Sequence, residues 1–334
     1  MTAQDPQTQL FAALKKELPQ HLSLVDEVAG VLGISTDSAY RRIRGEKELT
    51  ITDLQKLCSR FKLSLDRLLL ASTGTFVFTG NFVNPTTFKF DEYLTNMVQQ
   101  VKYMNSFTHK KMFYLCKDIP VFHHFHFREL AAFKYFFWMK AIINHPDFVA
   151  KKFSLNDYPN EYFELGKKAL HYYNQLDTVE IWNIENINST IRQIEFYRNA
   201  HLFSSEADVL EVYGALEKLI YLLEQQADAG YKFVAGDEAH KKQGSFEMYY
   251  NEFIVGDNSI LALLDNNKMA FNIHSIINFM MTTDADFCDK TYANLQNLMR
   301  RSTLISQVSE IERARFFKFL RSRITARMQN NSDQ

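Results

Sequence analysis

Residues 23–70 read SLVDEVAGVLGISTDSAYRRIRGEKELTITDLQKLCSRFKLSLDRLLL, and the fold of the chain is best approached outward from them. Ser23 is placed to cap a helix with Leu24, Val28, Val31 and Leu32 on one stripe, and Gly33 ends it. Ser35 caps a second helix, Thr36 to Arg44, which Gly45 stops. Only a Gly-Ile-Ser turn joins the two, which is helix-turn-helix spacing. Thr50 caps a further helix with Ile51, Leu54, Leu57, Cys58 and Phe61 inward, and Ser64 opens a last short one with Leu65, Leu68 and Leu69. Upstream, Pro6 to Leu18 carries Leu10, Leu14 and Leu18 on one face. Residues 1–71 are therefore expected to form a compact five-helix domain.

On the second helix of the motif, Thr36, Asp37, Tyr40, Arg41 and Arg44 fall on one polar face, while Ile34, Ala39 and Ile43 point toward the core. A short helix with a core side and an arginine-bearing side suits a DNA groove.

The small residues Ala29 and Gly33, Ser35 at the helix start, Arg44-Gly45 at its end and the phrase Leu63-Ser-Leu-Asp-Arg-Leu occur together at matching spacing. In these features the stretch resembles the Cro/XRE-type helix-turn-helix domain of bacterial and phage repressors. The resemblance implies a lambda-repressor-like fold and double-stranded DNA as partner. It implies that Arg41 and Arg44 meet guanine edges or phosphates and that Asp37 accepts from cytosine. Tyr40 would meet a thymine methyl or a phosphate, Thr36 shares their face, and Lys47 in the following loop would touch a phosphate. Two positions depart from the family pattern. Val25 stands where a phosphate-holding Gln is usual, and Arg42 where an apolar residue is usual.

The 334 residues are 46% apolar and 14% aromatic, enough for a large core and against disorder. Only 11 glycines and 6 prolines leave few tight turns for a strand-rich sandwich, so a mainly α fold is expected. The near-neutral total hides a segmented charge. Residues 1–72 hold 10 basic and 9 acidic side chains, 73–299 hold 20 and 27, and 300–334 hold 8 and 3. A net charge of +1 on the first segment gives little non-specific attraction to DNA, so affinity would lean on a dimer or on the basic tail.

Residues 72–90, rich in Thr, Gly, Asn and Phe, read as a linker with a short strand at Phe76 to Phe78. Residues 91–334 then read as a large, mainly helical dimerisation and sensor domain. Its helices are expected at Asp91 to Phe107, Phe127 to Asn144, Asn160 to Gln175, Glu185 to Phe203 and Ser205 to Ala227. Tyr162 to Tyr173 resembles the first helix of a tetratricopeptide unit, with Gly166 and Ala169 as its small positions, but no second copy is evident. Between 246 and 274, GDN and DNN punctuate three short apolar runs at hairpin spacing, which predicts a small antiparallel β meander. Ser309 with Glu312 matches a capping box opening a final helix. That helix sets Ile311, Phe316, Phe319, Leu320 and Ile324 against six basic residues, a solvated face or one that docks on the acidic middle segment or on DNA phosphates.

His123, His124 and His126, with His109 nearby, have a spacing that can converge on zinc or nickel. They alternate with Phe122, Phe125 and Phe127 after Pro120, so an aromatic packing segment is the favoured reading, with no metal and no cofactor. The aromatic density from Phe107 to Trp138 is read mostly as core, with an apolar pocket or an oligomer interface as its remaining use. Cys58, Cys116 and Cys288 lie far apart with no CxxC spacing, which signals neither a disulfide framework nor a cysteine zinc site. No nucleophile motif, phosphate-cradling glycine loop or paired-carboxylate spacing points to an enzyme. Met1 to Leu18 lacks the order of a signal peptide, and neither Leu68–Phe88 nor Ala131–Ile143 suits a bilayer span. The expectation is a cytoplasmic, homodimeric DNA-binding transcriptional regulator, no membrane partner, with a small-molecule or peptide effector possible. The rival is a protein-interaction scaffold built on the aromatic C-terminal domain.

Overall fold

The computed structural model describes residues 5–18, 22–61, 76–237, 240–253, 258–274 and 277–329. The chain divides into two compact units, Met1–Val77 and Phe78–Gln334.

In the first unit, helices α1 (Pro6–Glu17), α2 (Leu24–Leu32), α3 (Thr36–Ile43) and α4 (Ile51–Phe61) enclose a small core. Leu10, Phe11 and Leu14 of α1 meet Val28, Ala29 and Leu32 of α2, Ala39 of α3 and Leu57 of α4. The expected fifth helix at Ser64 to Leu69 lies outside the described residues. Side-chain caps fix the starts: Ser23 Oγ accepts from the Asp26 N–H at 3.4 Å, and Ser35 Oγ from that of Ser38 at 3.3 Å. At α4, Thr50 and Asp53 cap each other's backbone N–H, both at 3.1 Å.

The second unit overturns the expectation of a helical domain with one small meander. Its eight strands, among the described residues, form one mixed sheet. They are β1 (Thr79–Asn81), β2 (Lys110–Leu115), β3 (Asp177–Trp182), β4 (Phe246–Tyr250), β5 (Ser259–Leu264), β6 (Asn267–His274), β7 (Asn278–Thr282) and β8 (Thr303–Leu304), in the order β1-β7-β6-β5-β2-β3-β4-β8. The central strands β2, β3 and β4 run parallel, with Phe113 opposite Val179 and Val179 opposite Glu247. Long connections join them, as parallel pairs require. Only β5, β6 and β7 form an antiparallel meander. The run at Phe246, read as part of that meander, instead pairs parallel with β3. The short linker strand falls at Thr79–Asn81, not at Phe76 to Phe78.

The helices of this unit are α5 (Phe90–Asn105), α6 (Arg128–Phe137), α7 (Asn160–Asn174), α8 (Asn186–Asn199), α9 (Glu206–Ala229), α10 (Ala285–Arg300) and α11 (Glu310–Gln329). A π-helical turn, Trp138–Ile142, ends α6. On one sheet face Phe113, Val179, Ile181, Leu261 and Ala270 pack against Cys288 and Leu295 of α10. The other face carries the main core, where α5 to α9 and α11 meet Met112, Tyr114, Trp182 and Met248. The tetratricopeptide-like segment is α7, which leads directly into β3, so its small positions serve local packing. Gly166 faces the ring of Phe125 so closely that an added Cβ would lie 2.1 Å from Cδ1.

Inside this core Glu180, fully buried, accepts from His123 Nε2 at 2.8 Å, from Trp182 Nε1 at 2.7 Å and from the Tyr173 hydroxyl. The three histidines go to three different places. His123 meets Glu180, His124 Nδ1 meets the Val121 carbonyl at 3.2 Å, and His126 Nδ1 accepts from the Ala235 N–H at 3.4 Å. Among the described residues no group of three or more His, Cys, Asp or Glu is placed to hold a metal.

The basic face of α11 docks within its own unit. Arg321 pairs with Glu224, Arg327 with Glu195, Arg313 with Asp228, and Arg323 with Glu185 at 3.3 Å. Ser309 sits at φ +55, outside the extended region from which an N-cap hydroxyl acts, so the capping-box geometry is not formed there. No helix among the described residues is long and apolar enough to cross a membrane.

Candidate nucleic-acid interface

Helix α3 is positioned by backbone geometry on both sides. Gly33 ends α2 at φ +68 and Gly45 follows α3 at φ +79, a region that L side chains rarely enter. An added Cβ on Gly33 would meet nothing within 4 Å. Its smallness thus serves the turn rather than a close helix crossing. Ala29 does lie in the core between helices.

Ala39 is fully buried and anchors α3, while Thr36, Asp37, Tyr40, Arg41, Arg44 and Lys47 are all exposed. The Arg44 guanidinium lies over the Tyr40 ring at 4.6 Å, a cation–π contact that aligns the two side chains. Glu46 stands 3.6 Å from Arg41 and 3.7 Å from Arg44. One carboxylate therefore bridges the two arginines in the absence of a partner.

Arg42 does not share this face. It is 7% exposed, with Nη1 donating to Ser38 Oγ at 2.7 Å and Nε 3.6 Å from Asp53. Where the Cro/XRE resemblance leads one to expect an apolar side chain, the structure places an arginine neutralised from α4. Ile43 is only partly buried beside it. Val25 packs on the same core.

Sequence reasoning missed Gln7. Its Nε2 donates to the Arg42 carbonyl at 2.7 Å and the Lys47 carbonyl at 2.8 Å, while Oε1 accepts from the Leu49 N–H at 2.9 Å. The amide thus clamps the loop that carries Glu46 and Lys47 onto α1. Its partners lie 35 to 42 residues away, beyond any local pattern.

Residues 19–86 match the BetR domain, a helix-turn-helix-like DNA-binding domain family. No curated protein and no solved structure matches the chain.

Proposed function

We propose that the chain is a sequence-specific transcriptional regulator of the Cro/XRE type, acting in the cytoplasm as a homodimer and through binding rather than catalysis. The observation that carries this reading is α3. One face is anchored by buried Ala39 and Arg42, and the other presents Tyr40, Arg41 and Arg44 to solvent. Arg41 and Arg44 read guanine edges or phosphates, Asp37 a cytosine amine, Tyr40 a thymine methyl or phosphate, and Thr36 and Lys47 add backbone contacts. The match to the BetR domain supports DNA as the partner.

Four of the six basic residues of α11 are paired with carboxylates of its own unit, which weakens the tail as a source of phosphate contacts. Affinity then depends on two DNA-binding units acting together on half-sites one helical turn apart. The large C-terminal unit supplies the pairing and responds to an effector. Selection of bound duplexes from a random library tests this directly. A two-fold symmetric consensus is expected; absence of any enriched sequence, or a single unpaired half-site, would overturn the dimeric regulator.

A further inference from the structure

The C-terminal unit holds a cavity of about 810 Å³, within the range that accommodates a drug-sized molecule. Its walls are largely apolar, with Met97 and Met104 of α5, Trp138 after α6 and Phe271 of β6 among them. Methionines and aromatics of this kind adapt to varied apolar shapes. Two oppositely charged pairs, Asp118 with Lys134 and Lys89 with Glu92 at 2.9 Å, and the His124 imidazole supply the charged and imidazole groups of the lining.

Those groups define the ligand. Asp118 and Lys134 already neutralise each other, with Nζ 3.1 Å from the carboxylate. Lys134 also donates to Gln193 at 2.9 Å, while Ser189, Thr190 and the Ile119 N–H donate to Asp118. An anionic ligand would face Asp118, and a cationic one Lys134. His124 is different. Its Nδ1 is engaged by the Val121 carbonyl, whereas its buried Nε2 has no hydrogen-bond partner. Nε2 is itself closed off from solvent, so the imidazole lines the cavity without offering it a free polar atom.

A second observation links the cavity to the DNA-binding unit through the chain itself. Phe82, Val83 and Phe88, which directly follow edge strand β1, form part of the cavity wall. The Val83 N–H is fixed to Asn278 Oδ1 at 2.8 Å, so this segment is tied to the sheet beside the cavity. An occupant therefore touches the stretch of chain that leads out of the first unit.

We propose that this cavity is an effector site for an uncharged, mainly apolar molecule. This deepens the effector reading above, and its test needs no DNA, so failure of either leaves the other standing. The probe is N-phenyl-1-naphthylamine, a neutral aromatic whose fluorescence rises in apolar surroundings, titrated into the full-length protein. Saturable one-to-one binding is expected, displaced by 1-decanol at least about tenfold more readily than by decanoate or decylammonium. Met97→Trp, which adds bulk to the cavity wall, should weaken the probe at least about tenfold while circular dichroism reports an unchanged fold. Non-saturable binding, equal displacement by the charged decyl compounds, or wild-type affinity in the Met97 variant would overturn the proposal.

Discussion

Arg42 of α3 and Asp53 of α4 form an ion pair of 3.6 Å with both side chains largely withdrawn from water, and the same carboxylate caps α4 through the Thr50 N–H. Helices α3 and α4 are thereby locked by charge where an apolar contact would ordinarily serve. Removing one partner strands the other. Arg42→Ala should destabilise the first unit by about 2 to 3 kcal/mol, below the full cost of a completely buried pair because Asp53 keeps some solvent. Arg42→Leu should cost clearly less. Hydrogen exchange of the α3 amides in the full chain would measure both, and equal protection in Arg42→Ala and wild type would refute the lock.

Gln7 contributes in a similar way from α1. Gln7→Ala removes all three of its hydrogen bonds to the 42–49 segment, and a loss of about 1 to 2 kcal/mol is expected because the loop carbonyls regain water. Faster exchange should appear at Leu49 while α2 is unaffected. Uniform loosening of the whole unit would show that the clamp is not local.

Glu46 holds Arg41 and Arg44 in the free protein, so it competes with phosphate for them. Glu46→Gln should tighten DNA binding about three- to tenfold at low salt and steepen its salt dependence, since the arginines no longer exchange one anion for another. Unchanged affinity in a duplex titration would mean that neither arginine approaches the DNA.

His124 makes the C-terminal unit acid-labile. Burial first, and the Lys134 charge second, push its pKa down to about 3, against an ordinary value of 6.5. Because the folded value is depressed for a base, protons are taken up on unfolding. The associated stability is present above pH 6.5 and is lost as pH falls toward 3, with a slope of up to about 1.4 kcal/mol per pH unit. The difference in urea midpoint between pH 7.5 and pH 5 should shrink in His124→Phe. An identical pH slope in the variant would contradict the assignment.

Gly166→Ala drives a methyl into the Phe125 ring and should cost about 1 to 3 kcal/mol through overpacking. Phe125→Leu in the same chain should recover part of that loss. Additive destabilisation in the double variant would show that the two positions do not meet.

The helix-turn-helix was legible because its signals are local: Ser23, Ser35 and Thr50 cap, Gly33 turns, and Ala39 anchors, each within a few residues of its effect. The sheet was not. Strands β2 and β3 are central, and their successive side chains go to two different cores. Phe113 and Val179 face α10, while Met112, Tyr114 and Trp182 face the main core. With both faces buried, the alternation that marks a half-exposed strand disappears, and KKMFYL reads as part of an aromatic run. The scarcity of glycine and proline misled for a related reason, since helices, not tight turns, connect the parallel strands. Of the interface, the exposed residues of α3 were readable from helical spacing. Arg42 was not placed, because its burial depends on Asp53, eleven positions along the chain on another helix.

The most direct test of the central claim is titration of the selected duplex with wild type and with the Arg41→Ala/Arg44→Ala variant at two salt concentrations. Wild-type affinity should fall steeply with salt, and the variant should lose sequence-specific binding while keeping its fold. Specific binding retained in the variant would contradict the assignment of α3 as the recognition helix.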